Sequence, residues 1–482
     1  MKTSLRMVKH NWIPFLAVLF SAGTITALLW IQLSHLNDYA STWDRVDFSL
    51  AIERFDLMAM RPHFPGYPYF ILGGRLMYPL TGDPAAALTL LNILLYLTTV
   101  IPVYLLAREA VPRSGAILAA AIIYSSGYVL VIVNAPMSEG TAISILLWYL
   151  WSIRRTLNKE KSWRDLLPAF LYAILLGIRL SYLPFGIGLL YFLYMRRKVY
   201  SLKIISFYLF TALAFQLIWV TALVVAEGGV RAFWNLAMAF SSGHFNEWGN
   251  TAVTDESSFA DRLKIFVVDN ILWTGISVES VVIAFLFLLL VLVAAGNGKM
   301  DFLILLTGGA YFLWALFAQN VDKPRHALPV VILLILMLVT KALSRYKHIG
   351  VFTLLSLLLT FQAFTAGRLI IKQADEVPAA YQLAAYLKDI EEPAVIYSWE
   401  EDRVLNYLQV PVSHKRINTY DFFLQDISHY SSRRIYITDK AVSGFEAQGA
   451  DILDKVEKVE SFSSDPLFEP VYNEIILYRW KN

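Results

Sequence analysis

Cysteine is absent from all 482 residues. That excludes disulfides, thiolate metal sites, iron–sulfur clusters and cysteine nucleophiles, whichever compartment a segment faces. Charge is also scarce: 16% of the chain is Asp, Glu, Lys or Arg, against about 25% in an ordinary soluble domain. With 41 Lys and Arg against 38 Asp and Glu, the net charge is only +3, so there is no global basic field to favour nucleic acid. What the chain has in excess is apolar sequence, 57% hydrophobic and 14% aromatic. A composition of that kind needs a lipid solvent and excludes a soluble enzyme.

Apolar runs of about 15–25 residues begin near Ile13, Pro84, Ser114, Ser138, Leu166, Tyr182, Ile204, Ile276, Phe302, Ala327 and Ile349. They predict a polytopic α-helical membrane protein with about eleven transmembrane helices. The first run follows Lys2, Arg6 and Lys9 and shows no small-residue cleavage site, so it reads as a retained helix with a cytoplasmic N-terminus. Every second connection is rich in cations: Arg108 and Arg113; Arg154, Arg155, Lys159, Lys161 and Arg164; Arg196, Arg197, Lys198 and Lys203; Lys299; Lys341, Arg345 and Lys347. The positive-inside rule puts these in the cytoplasm and the C-terminus outside the plasma membrane. The two short spans around Arg179 could instead form a re-entrant hairpin.

On this reading the membrane module spans 1–371, with long outer loops at 34–83 and 227–270. From 372 the composition turns polar, and 372–482 reads as a small extracytoplasmic α/β domain. Its pattern predicts helices over 378–389 and 403–408 and strands over 394–399, 434–438 and 474–480. It has no glycine-rich phosphate loop, no His–Glu metal signature and no G-x-S-x-G elbow.

The first outer loop holds the densest chemistry. A helix over 44–59 would put Phe48, Ile52, Phe55 and Ala59 on one face, suited to lying in the membrane interface. Asp44 and Asp47 would share another face, three residues apart. Asp44, Asp47, Glu53 and Asp56, with Arg45, Arg54 and Arg61, could be a solvated, salt-bridged surface. Alternatively, one aspartate is a general base at the lipid–water boundary, where partial desolvation raises its basicity.

Pro62, Pro65, Gly66 and Pro68 should then turn the chain back to the membrane. On a later outer connection, Lys323 and Arg325 would sit at phosphate level, either binding a lipid-linked phosphate or snorkelling to anchor a helix end. Arg179 carries the same two readings. His244 and Glu247 have metal-like spacing, but Gly243 and Gly249 oppose a rigid helix and no third ligand is evident, so a polar loop lining an acceptor groove is the better reading. Glu139 reads as a helix N-terminal charge.

These residues resemble the polytopic GT-C glycosyltransferases, which take sugars from polyprenyl-phosphate carriers at the outer face of the membrane. Trp43-Asp44-Arg45-Val46-Asp47-Phe48 looks like that family's acidic motif after the first helix. The stretch His63-Phe64-Pro65-Gly66-Tyr67-Pro68 is similar to a segment of bacterial relatives of protein O-mannosyltransferases, with Phe64 replacing a proline. The run from Asp322 to Pro329 resembles the Arg-aromatic-x-x-Pro segment of a late helix, with His326 in the aromatic position. Arg45 stands where many relatives have a second acid, which leaves both Asp44 and Asp47 as candidate bases.

The resemblance implies an inverting transferase. Asp44 or Asp47 would be catalytic, and His63, Arg179, His244, Glu247, Lys323, Arg325 and His326 would contact substrate. The lipid-linked sugar donor is a substrate, and neither a cofactor nor a divalent metal is expected. Partners would be the bilayer, the polyprenyl-phosphate sugar, and an acceptor glycan, glycolipid or protein. The alternatives are a multi-span transporter, disfavoured because no repeat appears and the ionisable residues cluster at the outer rim, or a non-catalytic envelope assembly protein with a GT-C-like core.

Overall fold

A computed structural model describes every residue except 1, 159–161, 256, 296–300, 346–348 and 482, and no side chain in 2–13 or at 345. The expected cytoplasmic cations Lys159, Lys161, Lys299 and Lys347 therefore lie outside the described residues. Helices occupy all eleven apolar runs. Among the described residues, five helices are long and apolar enough by themselves to cross a membrane: Pro14–Ser34, Pro84–Arg108, Leu202–Ala226, Pro324–Ser344 and Ile349–Lys388. The number rises to seven if two broken pairs are each one span, namely Arg113–Tyr124 with Gly127–Val133, bent by 59°, and Phe259–Ile276 with Val281–Ala294, bent by 106°. Around Arg179 the helices Leu167–Ile178 and Ile187–Arg196 are short and joined by a 3-10 segment, Leu180–Gly186.

Four N-terminal helices set up the site: α1 (Lys2–Ser34), α2 (Trp43–Glu53), α3 (Pro68–Thr81) and α4 (Pro84–Thr98). Pro68 and Pro84 each open a helix, where the missing N–H would have no partner anyway. The side chain of Asp83 caps α4 by accepting from the Ala86 amide. Gly74 permits the crossing of α3 with its neighbours, since a Cβ there would lie 2.5 Å from Leu88 Cδ2 and 2.6 Å from Ile52 Cδ1.

Asn92 on α4 uses all its hydrogen-bonding capacity on the tight turn that leads to Glu139. Its Nδ2 donates to the carbonyls of Ala135 (2.9 Å) and Met137 (2.8 Å), and its Oδ1 accepts from the Thr141 amide and hydroxyl (2.9 and 2.7 Å). The start of the next helix, Ser138–Leu157, is thereby fixed in place.

The helix Ile349–Asp375 leads into a unit built on a five-stranded sheet of order β2-β1-β3-β5-β4. The strands are β1 (Ala394–Ser398), β2 (Ser413–Arg416), β3 (Arg434–Thr438), β4 (Val456–Ser463) and β5 (Glu474–Trp480). β1 pairs in parallel with β2 and β3, whereas β5 runs antiparallel to β3 and β4. Helices cover both faces, so β1 is buried along its whole length and apolar up to Ser398. Val395 and Tyr397 pack with Phe423 and Phe445 on one side. On the other, Ile396 packs with Leu383, Leu405 and Leu477, and there Ala40, Val46 and Ala85 of the N-terminal segments enter the same core.

Candidate active site

The helix around the paired acids is shorter and more enclosed than its apolar spacing predicts. α2 ends at Glu53, and Arg54 is extended. Asp56 stops it: its side chain accepts from the Ala59 amide and its backbone bridges Arg61, making a tight loop in place of further helix. The face bearing Phe48 and Ile52 is not interfacial. Phe48 is buried edge-on against Tyr67 and Phe70, and burying such a ring contributes about 1.5–3 kcal/mol relative to exposure. The reading of the acids as a solvated face fails for the same reason. Arg45 and Asp47 are buried, and only the Arg54–Asp56 pair fits that description.

Asp44 and Asp47 have different surroundings. Asp44 Oδ2 accepts from an Arg325 terminal nitrogen at 2.6 Å. Arg325 Nε lies 2.9 Å from Glu139 Oε1, and an Arg179 nitrogen lies 3.1 Å from the same oxygen. Arg179 also donates to the Ser138 hydroxyl at 2.8 Å. The result is a chain of alternating charge, Asp44–Arg325–Glu139–Arg179, drawn from four distant segments. The Glu139 contacts are ion pairs without aligned hydrogen bonds. Burial would raise the pKa of Asp44, but the charges of Arg325, His63, Lys323 and Arg179 outweigh it and hold the carboxyl well below the usual range.

Asp47 is fully buried, with both oxygens engaged. His63 Nδ1 donates to Oδ2 at 3.0 Å, and Arg403 Nε donates to Oδ1 at 2.9 Å. Burial raises its pKa despite the opposing effects of His63 and Arg403. His63 Nε2 in turn pairs with the Tyr67 hydroxyl at 3.0 Å. That contact depends on the turn through Gly66 and Tyr67, both at positive φ (95° and 46°), which is routine for glycine and uncommon for tyrosine.

The other expected residues are distributed differently. Lys323 precedes the 3-10 turn Pro324–Ala327 and acts on Asp44 through its charge. His326 is buried and donates from Nδ1 to the Asn320 carbonyl at 2.9 Å, so its ring holds the loop. His244 Nε2 donates to the Ala318 carbonyl at 3.0 Å, and Glu247 is exposed on the π-helical turn His244–Trp248. Neither belongs to the Asp44–Arg179 chain. Their segment reaches the first outer loop through Phe240, which stacks on His63 with centroids 6.3 Å apart.

Three participants were not legible as such in the sequence. Glu139 was readable only as a helix-end charge, although an isolated acid between apolar runs is itself a signal. Arg403 and Glu469 carry no local signal at all. Each meets its partner across more than 300 residues: Arg403 on Asp47, and Glu469 on Arg45 in a buried ion pair that Ser41 also joins.

Residues 61–224 match the sequence model of the family described as dolichyl-phosphate-mannose-protein mannosyltransferase. No curated protein matches the chain. Among solved structures, ArnT from Cupriavidus metallidurans bound to undecaprenyl phosphate is 11% identical with a TM-score of 0.57, over 96% of this chain and 97% of that one. The apo state of the same protein gives 11% and 0.54, over 98% of each chain. The apo oligosaccharyltransferase of Archaeoglobus fulgidus is 12% identical with a TM-score of 0.48, over 89% of this chain and 69% of that one. At such identities the ArnT likeness is one of fold, and it runs nearly the whole length of both chains. The chain thus has the GT-C fold, with a segment that matches the dolichyl-phosphate-mannose-protein mannosyltransferase family.

Proposed function

We propose that this chain is an inverting glycosyltransferase, moving a sugar from a polyprenyl-phosphate donor to an acceptor hydroxyl at the outer face of the plasma membrane. The observation that carries the reading is the Asp44–Arg325 pair, 2.6 Å apart where the span Pro324–Ser344 begins, with Glu139 and Arg179 behind it. Three cations (Arg179, Lys323, Arg325) face two carboxylates (Asp44, Glu139), and the surplus positive charge suits a phosphate anion. A donor tail can stay in the bilayer while its phosphate reaches this level.

In the reaction, the acceptor oxygen attacks the anomeric carbon, the bond from that carbon to the phosphate oxygen breaks, and the acceptor proton passes to Asp44. Asp44 is the better candidate because it is partly exposed and, among the described residues, only its Oδ2 is paired, whereas Asp47 is enclosed. Donor phosphate would draw the Arg325 charge away from Asp44 and so restore the proton affinity that this charge suppresses. Neither a metal nor a cofactor enters the scheme. The acceptor is a glycan, glycolipid or protein hydroxyl, and the sheet-bearing unit, as an outer α/β domain over 372–482, would cover it. His63, His244 and Glu247 would line that approach, with His326 shaping the loop behind Arg325.

Arg325 gives the direct test. Undecaprenyl phosphate binding to Arg325→Gln should be weaker by about 10–100-fold, the scale of a lost charge-assisted contact. Arg325→Lys should recover only part of this, since an ammonium cannot copy the guanidinium fork. Unchanged binding in both variants would leave Arg325 as a membrane anchor and overturn the assignment.

The proposed arrangement of eleven spans, N-terminus inside and tail outside, is tested by single cysteines in this cysteine-free chain. Ser257→Cys and Ser431→Cys, at exposed positions, should react with an impermeant thiol reagent in intact cells, and Ser201→Cys should not. The reverse labelling pattern would invert the topology and remove the outer-face reaction.

A further inference from the structure

We propose that Arg403, carried by the C-terminal unit, is a positioning residue for the first outer loop, which makes the tail part of the catalytic unit; this rests on the transferase reading above. Its side chain grips two parts of that loop at once. Nε and a terminal nitrogen lie 2.9 and 2.8 Å from Asp47 Oδ1. The same terminal nitrogen donates to the carbonyls of Met60 (2.8 Å) and Ala59 (3.2 Å). The guanidinium also lies 5.6 Å from the ring centroid of Trp43, the residue before Asp44. Arg403 thus ties α2 to the far end of the tight loop that leads to His63.

The consequences run along hydrogen bonds. Arg403 occupies one oxygen of Asp47, so the other is presented to His63 Nδ1, and His63 is in turn held by Tyr67. His63 is close enough to act on Asp44 by charge. Without Arg403, the fully buried Asp47 would keep one partner, and the 54–63 loop would lose its tie to the tail. A planar guanidinium reaches the carboxylate and the two carbonyls from two nitrogens held in a fixed fork, a geometry that the single nitrogen of an ammonium cannot copy. Arg403 does not join the Asp44–Arg325 phosphate pair, so its role is to place groups for the reaction.

The test uses full-length protein in lipid nanodiscs, with Arg403→Gln and Arg403→Lys. One readout is transfer from a short-chain polyprenyl-phosphate sugar. The other is backbone hydrogen–deuterium exchange over 54–63. Arg403→Gln should lower kcat by about 10²-fold, the scale of a small misplacement near reacting groups, with the donor KM within about threefold because donor phosphate binds at Arg325. Exchange over 54–63 should quicken by about tenfold or more while the membrane helices keep wild-type rates. Arg403→Lys should lose only about tenfold in kcat.

Transfer by Arg403→Gln within about threefold of wild type overturns the proposal. So does an equal loss in both variants accompanied by a lower melting temperature, which is the mark of a purely structural contact. If Arg403→Gln does not fold, Arg403→Lys is judged on the same two readouts. If wild type makes no product from any donor, the transferase reading falls and exchange alone decides the positioning role: faster exchange confined to 54–63 sustains it, and unchanged exchange overturns it.

Discussion

Replacing Asp44 by asparagine should reduce sugar transfer by ~10²–10⁴-fold, the usual contribution of a general base, in a protein that still folds. The amide keeps the shape of the side chain but cannot take the acceptor proton. Binding of undecaprenyl phosphate should persist or improve, because losing the carboxylate frees the Arg325 nitrogen now 2.6 Å from it. That combination separates loss of a base from loss of a binding group. Asp47→Asn should behave differently: it removes the charge partner of Arg403 and disturbs His63, so lost activity should come with lost stability. Single-turnover transfer with melting curves for both variants decides between them. A loss below about tenfold for Asp44→Asn would remove it as the base.

The second large effect concerns folding. Arg45 and Glu469 form a buried ion pair between the first outer loop and the C-terminal unit. Arg45 also donates to the Ser41 hydroxyl at 2.7 Å and the Phe468 carbonyl at 3.1 Å. Arg45→Met would leave the buried Glu469 carboxylate without its cation, still bonded by the Ser41 hydroxyl, and breaking one side of such a pair costs about 3–5 kcal/mol. The double variant Arg45→Met with Glu469→Leu should regain most of that, because two apolar side chains leave no buried charge. Unfolding in detergent measures both. A cost for Arg45→Met below about 1 kcal/mol would show the pair to be as weak as a surface one.

Local sequence made part of this architecture readable, and the reasons differ by element. β1, β3 and β5 were readable because interior strands between two layers of helices must be apolar. β2 reads Ser-His-Lys-Arg and β4 is largely polar, and both lie at the sheet edges, where burial does not force a pattern and charge discourages unwanted pairing. The start of α2 was legible to within one residue, expected at Asp44 and found at Trp43. Its end was not, because Phe55 and Ala59 continue the helical spacing while the Asp56 turn breaks it.

The same limit applies to the site. Asp44 and Arg325 were each nominated by a short motif, yet their contact spans 281 residues, and no periodicity announces such a meeting. Glu139 between two arginines, and Arg403 on Asp47, are products of tertiary assembly. The interfacial reading of the Phe48 face missed the mark because amphipathic spacing tells that a face is covered and not by what. Here the cover is protein: α3 lies over the Phe48 face, and the sheet-bearing unit takes the Val46 side.

The central claim is that the Asp44–Arg325 pair transfers sugar from a lipid phosphate. Purified wild type, Asp44→Asn and Arg325→Gln should therefore be incubated with a short-chain polyprenyl-phosphate sugar and hydroxyl acceptors, and both products followed. The account predicts that wild type releases one polyprenyl phosphate per glycoside formed, with inverted anomeric configuration, and that both variants lose this activity. Solute uptake by wild-type proteoliposomes, with no glycoside from any donor and no bound lipid phosphate, would contradict it.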